Sequence, residues 1–330
     1  MDSTNRILLD RIQRSFPIVS EPFLALAEGL EIDEEEVRER IRLLKEQKAI
    51  RQISAIFNTG ALGYRSCLVA MAVPEKGFDA AVEVINGYPG VSHNYLRPGN
   101  FNMWFTIAVP PGKELEDVVG QLSGRSGGWP TLILPALKKY KLAVVLDVLE
   151  DGDWESTEDK AELPLTESNT KFQPTPANIR TVKCIQEDLP LVRKPFSVWG
   201  DLVGMREDEL LRTITEWTGQ GTIRRFAAIL NHRQVGFSSN GMVVWNCPED
   251  RIDRMGSILA SHVEVSHCYY RPAYPQWPYN LYAMVHSRSV EECEVTAAKL
   301  ADAIELTKFQ IMVSTKEFKK IRLKLFWDND

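Results

Sequence analysis

Two short stretches hold the residues best suited to chemistry. Residues 91–98 read VSHNYLRP, and residues 265–272 read VSHCYYRP. On a β-strand, side chains two apart face the same side. His93, Tyr95 and Arg97 therefore fall on one face, with Ser92, Asn94 and Leu96 on the other, and His267, Tyr269 and Arg271 repeat the row. Neighbours in such a row stand about 7 Å apart. An imidazole that titrates near neutrality, a phenol and a permanent guanidinium at that spacing suit a broad, flat, anionic ligand. Arginine grips carboxylates bidentately, while histidine and tyrosine donate or accept protons. Taken singly, a strand histidine or tyrosine is usually a packing residue, and duplication copies inert residues too. The joint placement, made twice, sets these strands apart.

Other candidates are less specific. After the first strand the chain makes a short turn, RPGNFNMW; after the second it makes a longer aromatic one, RPAYPQWPYN. Trp104 and Trp277 are the aromatic candidates for the face of a planar ligand, although a rigid proline-rich turn accounts for the second segment equally well. Arg51, Arg224 and Arg225 are candidate anion clamps, or simply solvated side chains. His232, His262 and His286 have no partner at a metal-ligand spacing, and no C-x-x-C pair occurs among Cys67, Cys184, Cys247, Cys268 and Cys293, so no metal site is expected. No phosphate-binding loop, dinucleotide fingerprint or Ser-His-Asp signature is visible.

The elements that must position the two rows are themselves repeated. IRQISAIFN at 50–58 matches IRRFAAILN at 223–231, an offset of 173 that also relates Pro22-Phe23 to Pro195-Phe196 and Gly63 to Gly236. The histidine strands match at an offset of 174. The chain is therefore a tandem repeat. Helical periodicity at 7–16, 22–28 and 33–47, broken at Pro17, Ser20 and Gly29, predicts a helix-turn-helix head, with Asp33 as an N-cap. Strand 67–73, helix 78–88, strands 91–97 and 101–109, helix 114–122 and a closing strand near 142–148 predict a ferredoxin-like βαββαβ body. The second copy repeats this order at 241–245, 252–261, 265–271, 279–286 and 290–303, with strands near Ile311 and Leu323. The fold class is α+β, a winged helix-turn-helix plus ferredoxin-like module made twice. Heads are expected at 1–58 and 177–231, bodies at 59–148 and 232–330. Between the copies, residues 149–176 form an acidic linker that contains prolines.

A composition of 44% hydrophobic and 25% charged residues is that of a globular chain, and a net charge of -6 points away from a general affinity for nucleic acid or anionic membrane. The longest apolar runs, such as CLVAMAV, are of strand length, and the N-terminus lacks a signal-peptide core, so a reducing cytoplasm is expected.

A helix-turn-helix head joined to a βαββαβ body resembles the Lrp/AsnC family, and IRQISAIFNTGALGY and IRRFAAILNHRQVGF look like that family's junction. VSHNYLRP…FNMWFT and VSHCYYRP…YNLYAMVH are sharper: they resemble the two kinds of subunit of the siroheme decarboxylases, fused in one chain. That resemblance implies a lyase without a cofactor of its own, the iron being carried by the substrate. It would remove two acetate carboxylates of siroheme as carbon dioxide, giving 12,18-didecarboxysiroheme for heme or heme d1 synthesis. It also implies intramolecular pairing of the two copies, and leaves room for a homo-oligomer. The family's motif histidine and arginine fall on His93 and Arg97 and on His267 and Arg271. Decarboxylation leaves electron density on carbon, which calls for a proton donor, and the histidines are the natural choice. Arg97 and Arg271 are expected to grip rim carboxylates, and Tyr95 and Tyr269 to position or donate. A DNA-binding regulator and a tetrapyrrole carrier without turnover are the rivals. Against the first, residues 1–58 hold 9 Lys+Arg and 11 Asp+Glu, and both third helices open on acidic residues.

Overall fold

The computed structural model describes residues 2–142, 172–230, 239–287 and 289–328. The expected linker at 149–176 lies outside them as far as residue 171. Contacts divide the chain into two units, each drawn from both copies. One unit is Met1–Gly63, Val145–Val235 and Lys324–Asp330; the other is Tyr64–Val144 and Gly236–Leu323.

The first unit holds both heads. Helices α1 (Ser3–Arg14), α2 (Pro22–Glu28) and α3 (Glu34–Glu46) precede strand β1 (Ile50–Phe57). Proline opens α2, where its missing N–H costs nothing. Asp33 sits at the N-cap of α3 as expected, but its side chain makes no capping hydrogen bond; Glu34, Glu35 and Glu36 supply the favourable first-turn charge instead. Helices α6 (Pro176–Ile185), α7 (Pro195–Val203) and α8 (Glu207–Gly219) lead likewise to β7 (Ile223–Leu230). The two junction segments are strands, and they pair with each other antiparallel, Ser54 opposite Ala227. Each head's ribbon is thus completed by the other copy.

The second unit holds two five-stranded sheets. In the first body, β2 (Arg65–Met71), α4 (Phe78–Gly87), β3 (Val91–Leu96), β4 (Met103–Val109), α5 (Leu115–Arg125) and β5 (Thr131–Pro135) form the βαββαβ module, and β6 (Lys138–Leu142) follows. In the second, β8 (Ser239–Trp245), α9 (Ile252–Ser261), β9 (Val265–Tyr270), β10 (Leu281–Ser287), α10 (Val290–Ala303) and β11 (Phe309–Val313) do so, and β12 (Lys316–Lys320) follows. Two strand placements need correction. The strand that closes the first module is β5, not 142–148, of which 143–148 lie outside the described residues; the strand expected near Leu323 is β12, ending at Lys320.

The last strand of each copy leaves its own sheet. The orders are β12-β3-β4-β2-β5 and β11-β8-β10-β9-β6, so β12 borders β3 and β6 borders β9. The helices of each body cover one face of its sheet, over Val69, Met71, Met103, Phe105 and Ile107 in the first and Val243, Trp245, Leu281, Ala283 and Val285 in the second. The opposite faces pack together: Ala70, Trp104, Leu132 and Leu134 meet Met242, Val244, Tyr282 and Met312 in a third core. Among the described residues, none from β3, β6 or β12 belongs to that core.

Candidate active site

Strand alternation does bring each row together. The His93 and Tyr95 rings are 6.1 Å apart, and the Arg97 guanidinium lies over Tyr95 at 5.7 Å. His267 and Tyr269 are also 6.1 Å apart, with Arg271 over Tyr269 at 4.6 Å. Both histidines and both tyrosines are half-buried.

The serines depart from simple alternation. β3 pairs with β4 as Val91 opposite Ile107, then His93 opposite Thr106, so Ser92 is an extra residue in a bulge. The bulge turns Ser92 toward the row: its Oγ lies 2.8 Å from His93 Nδ1 and 2.9 Å from Thr106 Oγ1. Thr106 Oγ1 is in turn 3.3 Å from Nδ1. β9 has the same irregularity against β10, and Ser266 Oγ lies 2.9 Å from His267 Nδ1. Opposite His267, however, stands Met284 rather than a threonine. Alternation assigned these serines to the far face; the bulges make them the histidines' anchors.

The arginines are not on an open rim. Arg97 and Arg271 are only 4% and 8% exposed. Each donates through a guanidinium nitrogen to a carbonyl of the other copy, Arg97 to Met312 and Arg271 to Leu134. Burial pulls the Arg97 pKa down to about 10 and lowers that of Arg271. Expected as carboxylate grips, both guanidiniums are instead stacked on the tyrosines and bonded across the two sheets. Trp104 and Trp277 meet at 5.2 Å, both buried, Trp104 donating to the Phe101 carbonyl and Trp277 to the Tyr282 hydroxyl. Arg51, Arg224 and Arg225 lie on β1 and β7, in the other unit from the rows; Arg51 is exposed and the other two are half-buried.

Two asparagines from the motifs set the ends of the rows. Asn102 accepts from Val73 N–H at 3.0 Å and donates to its carbonyl at 2.8 Å, while Arg97 N–H donates to the Asn102 carbonyl. Asn280 makes the same pair with Cys247 and the same bond with Arg271. Gly99, at φ +113°, allows the short turn between β3 and β4. Of the remaining histidines, His262 lies 3.9 Å from Glu264; His232 and the side chain of His286 fall outside the described residues. Among the described residues, no group of three or more His, Cys, Asp or Glu is placed to hold a metal ion, and no helix is long and apolar enough to cross a membrane.

Helix-turn-helix heads and paired βαββαβ sheets with a polar row on each define a class. Residues 61–141 and 234–319 match the AsnC-like ligand binding domain, and residues 5–51 and 179–224 match the siroheme decarboxylase NirDL-like HTH domain. A siroheme decarboxylase of Hydrogenobacter thermophilus is 37% identical over 97% of this chain and 94% of its own. This chain belongs to the siroheme decarboxylase family. The siroheme decarboxylase beta subunit of Methanosarcina barkeri is 38% identical over 45% of this chain and 97% of its own, so what is half of this chain is a separate subunit there. The crystal structure of the siroheme decarboxylase NirDL in co-complex with an iron-uroporphyrin III analogue is 33% identical, with a TM-score of 0.78, covering 98% of this chain and 94% of that one.

Proposed function

We propose that this chain is a carboxy-lyase that removes two acetate carboxylates of siroheme as carbon dioxide, giving 12,18-didecarboxysiroheme. The observation that carries the proposal is the doubled histidine, held by a bulge serine beside a tyrosine, in a chain of this family. In each step the bond from the acetate methylene to its carboxylate breaks. The electron pair stays on the methylene carbon, conjugated with the macrocycle, and a proton converts it to a methyl group. His93 and His267 are assigned as the donors. A hydroxyl on Nδ1 fixes each ring plane, so the proton passes from Nε2 and is replaced from water. Tyr95 and Tyr269, one strand repeat away, orient the ligand or relay a proton.

An arginine on the departing carboxylate would stabilise the ground state, because that charge vanishes as the bond breaks. Arg97 and Arg271 are therefore assigned to holding the tyrosines in place, which agrees with their burial. The reaction balances without a redox partner, and the substrate brings its own iron. Five unpaired cysteines agree with a reducing cytoplasm.

The test is anaerobic incubation of the purified protein with siroheme, followed by mass analysis of the tetrapyrrole. Loss of two carbon dioxide units without added cofactor is expected. Bound but unchanged siroheme would make the chain a carrier.

A further inference from the structure

Each histidine row borders a strand donated by the other copy. β12 lies antiparallel to β3 with Lys320 opposite His93 and Glu317 opposite Tyr95. β6 lies antiparallel to β9 with Lys139 opposite Tyr269 and Leu142 opposite His267. Directly opposed residues of an antiparallel pair project to the same face, with their Cβ atoms about 5 Å apart. The intervening residues confirm the faces independently. Lys319 Nζ donates to the Asn86 and Tyr88 carbonyls at 2.6 and 3.2 Å, on the side of α4, where Phe318 also meets Phe78. Lys141 Nζ donates to the His262 carbonyl at 2.7 Å, and the Tyr140 hydroxyl donates to Asp253 at 2.6 Å, both on the side of α9. Bulges at Phe318 and Tyr140 let two consecutive side chains take the helical side. Glu317, Lys320 and Lys139 are then on the row side, and all three are exposed.

We propose that Lys320 and Lys139 are the carboxylate-positioning residues of the two sites, each supplied by the copy that does not own the neighbouring histidine. The inference rests on the functional proposal above and extends it. A ligand that carries several carboxylates needs cations on its edge, and the arginines of the rows are buried and bonded to carbonyls. An exposed ammonium on a four-carbon stem adapts to such an edge. The two lysines are also out of step: Lys320 is beside the histidine, whereas Lys139 is beside the tyrosine. The cation is therefore displaced by two residues, about 7 Å, along otherwise matching rows. Each site would hold the macrocycle by a different carboxylate and so present a different acetate to its histidine.

The experiment compares Lys320→Gln, Lys139→Gln and their Arg counterparts with Lys316→Gln, which changes the same strand on its other face. Iron uroporphyrin III is titrated by absorbance, and siroheme turnover is followed anaerobically. Each Gln variant is expected to raise the Kd for iron uroporphyrin III and the KM for siroheme about tenfold, the effect of losing one charge-assisted contact, with kcat unchanged. The Arg variants restore both, the loss shrinks as salt is added, and Lys316→Gln behaves as wild type. Gln variants that bind no more weakly than Lys316→Gln, or Arg variants that restore nothing, overturn the lysine assignment. Wild-type protein that leaves siroheme unchanged while the lysines still govern porphyrin binding overturns the decarboxylase proposal alone. Wild-type protein that does not bind the porphyrin overturns both.

Discussion

Replacing Arg97 with methionine separates a structural arginine from one that grips substrate. The fall of its pKa from the ordinary arginine range to about 10 corresponds to a desolvation cost of about 3 kcal/mol for the charged form near neutrality. Against this stand a charged hydrogen bond to the Met312 carbonyl, worth about 1.5–3 kcal/mol, and the stack on Tyr95, worth about 0.5–2 kcal/mol. The terms nearly cancel. Methionine fills most of the same volume and carries no charge to desolvate, so Arg97→Met should change stability by less than about 2 kcal/mol in either direction. Arg97→Ala also loses the packing of the stem and should cost about 2–5 kcal/mol. Urea denaturation measures both. If Arg97 only supports Tyr95, the folded Met variant should bind iron uroporphyrin III within about threefold of wild type. A lost carboxylate contact would instead cost about tenfold or more. A Met variant of wild-type stability whose porphyrin affinity falls tenfold refutes the structural assignment and returns Arg97 to the substrate.

Three further outcomes are expected. His93→Ala and His267→Ala should each bind siroheme yet stop at a mono-decarboxylated product, with the lost step slowed about 10²–10⁴-fold, and the double variant should leave siroheme intact; if one variant abolishes both steps and the other neither, mass analysis will show that one copy works alone. The heads should show no nanomolar DNA complex at physiological salt in a mobility-shift assay, because Arg38, Arg40 and Arg42 on α3 are engaged by Glu34, Glu35, Asp2, Glu36, Glu39 and Glu46. Gly256→Ala should lower stability by about 1–2 kcal/mol on denaturation: helix propensity favours alanine by about 1 kcal/mol, but the added Cβ would overlap the Tyr140 ring, an overpacking that costs more.

Legibility in the sequence tracked how local each feature is. The bounds 22–28 of α2, 252–261 of α9 and 290–303 of α10 follow from proline, periodicity and caps, all of which act within a few residues. The His-Tyr-Arg rows were legible for the same reason, because period 2 is a property of the strand itself. The bulges at Ser92 and Ser266 were not, since a bulge exists only against a partner strand, here β4 and β10. β1 and β7 looked like junctions because their partners are each other, across the whole first body. The exchange of β6 and β12 was hidden too: KKYKL and KEFKK show a lysine-rich edge, but nothing in them says which sheet they border. Alternation also gives the face a residue takes without saying what covers that face. Arg97 and Arg271 could therefore be placed in their rows, but their burial could not be read from the row.

The exchange of strands makes the two copies interdependent, and it also makes their sites unequal. Each sheet takes its outermost strand from the other copy, so neither body would present a complete five-stranded sheet alone. Around the histidines the frame is duplicated almost atom for atom: a bulge serine on Nδ1, a tyrosine about 6 Å away, an arginine on the tyrosine, an asparagine closing the turn. The differences lie in what borders that frame. Thr106 faces His93 where Met284 faces His267, and Glu317 and Lys320 border the first row where Lys139 borders the second. The first histidine thus has a second hydroxyl to hold it and a cation alongside; the second has a thioether opposite and its cation one strand repeat farther away. In the proposed reaction, a substrate with two acetates on different rings calls for a shared proton-transfer frame inside dissimilar walls. Fusion, or pairing of separate subunits, would then be needed to complete each site and not merely to keep two independent enzymes together.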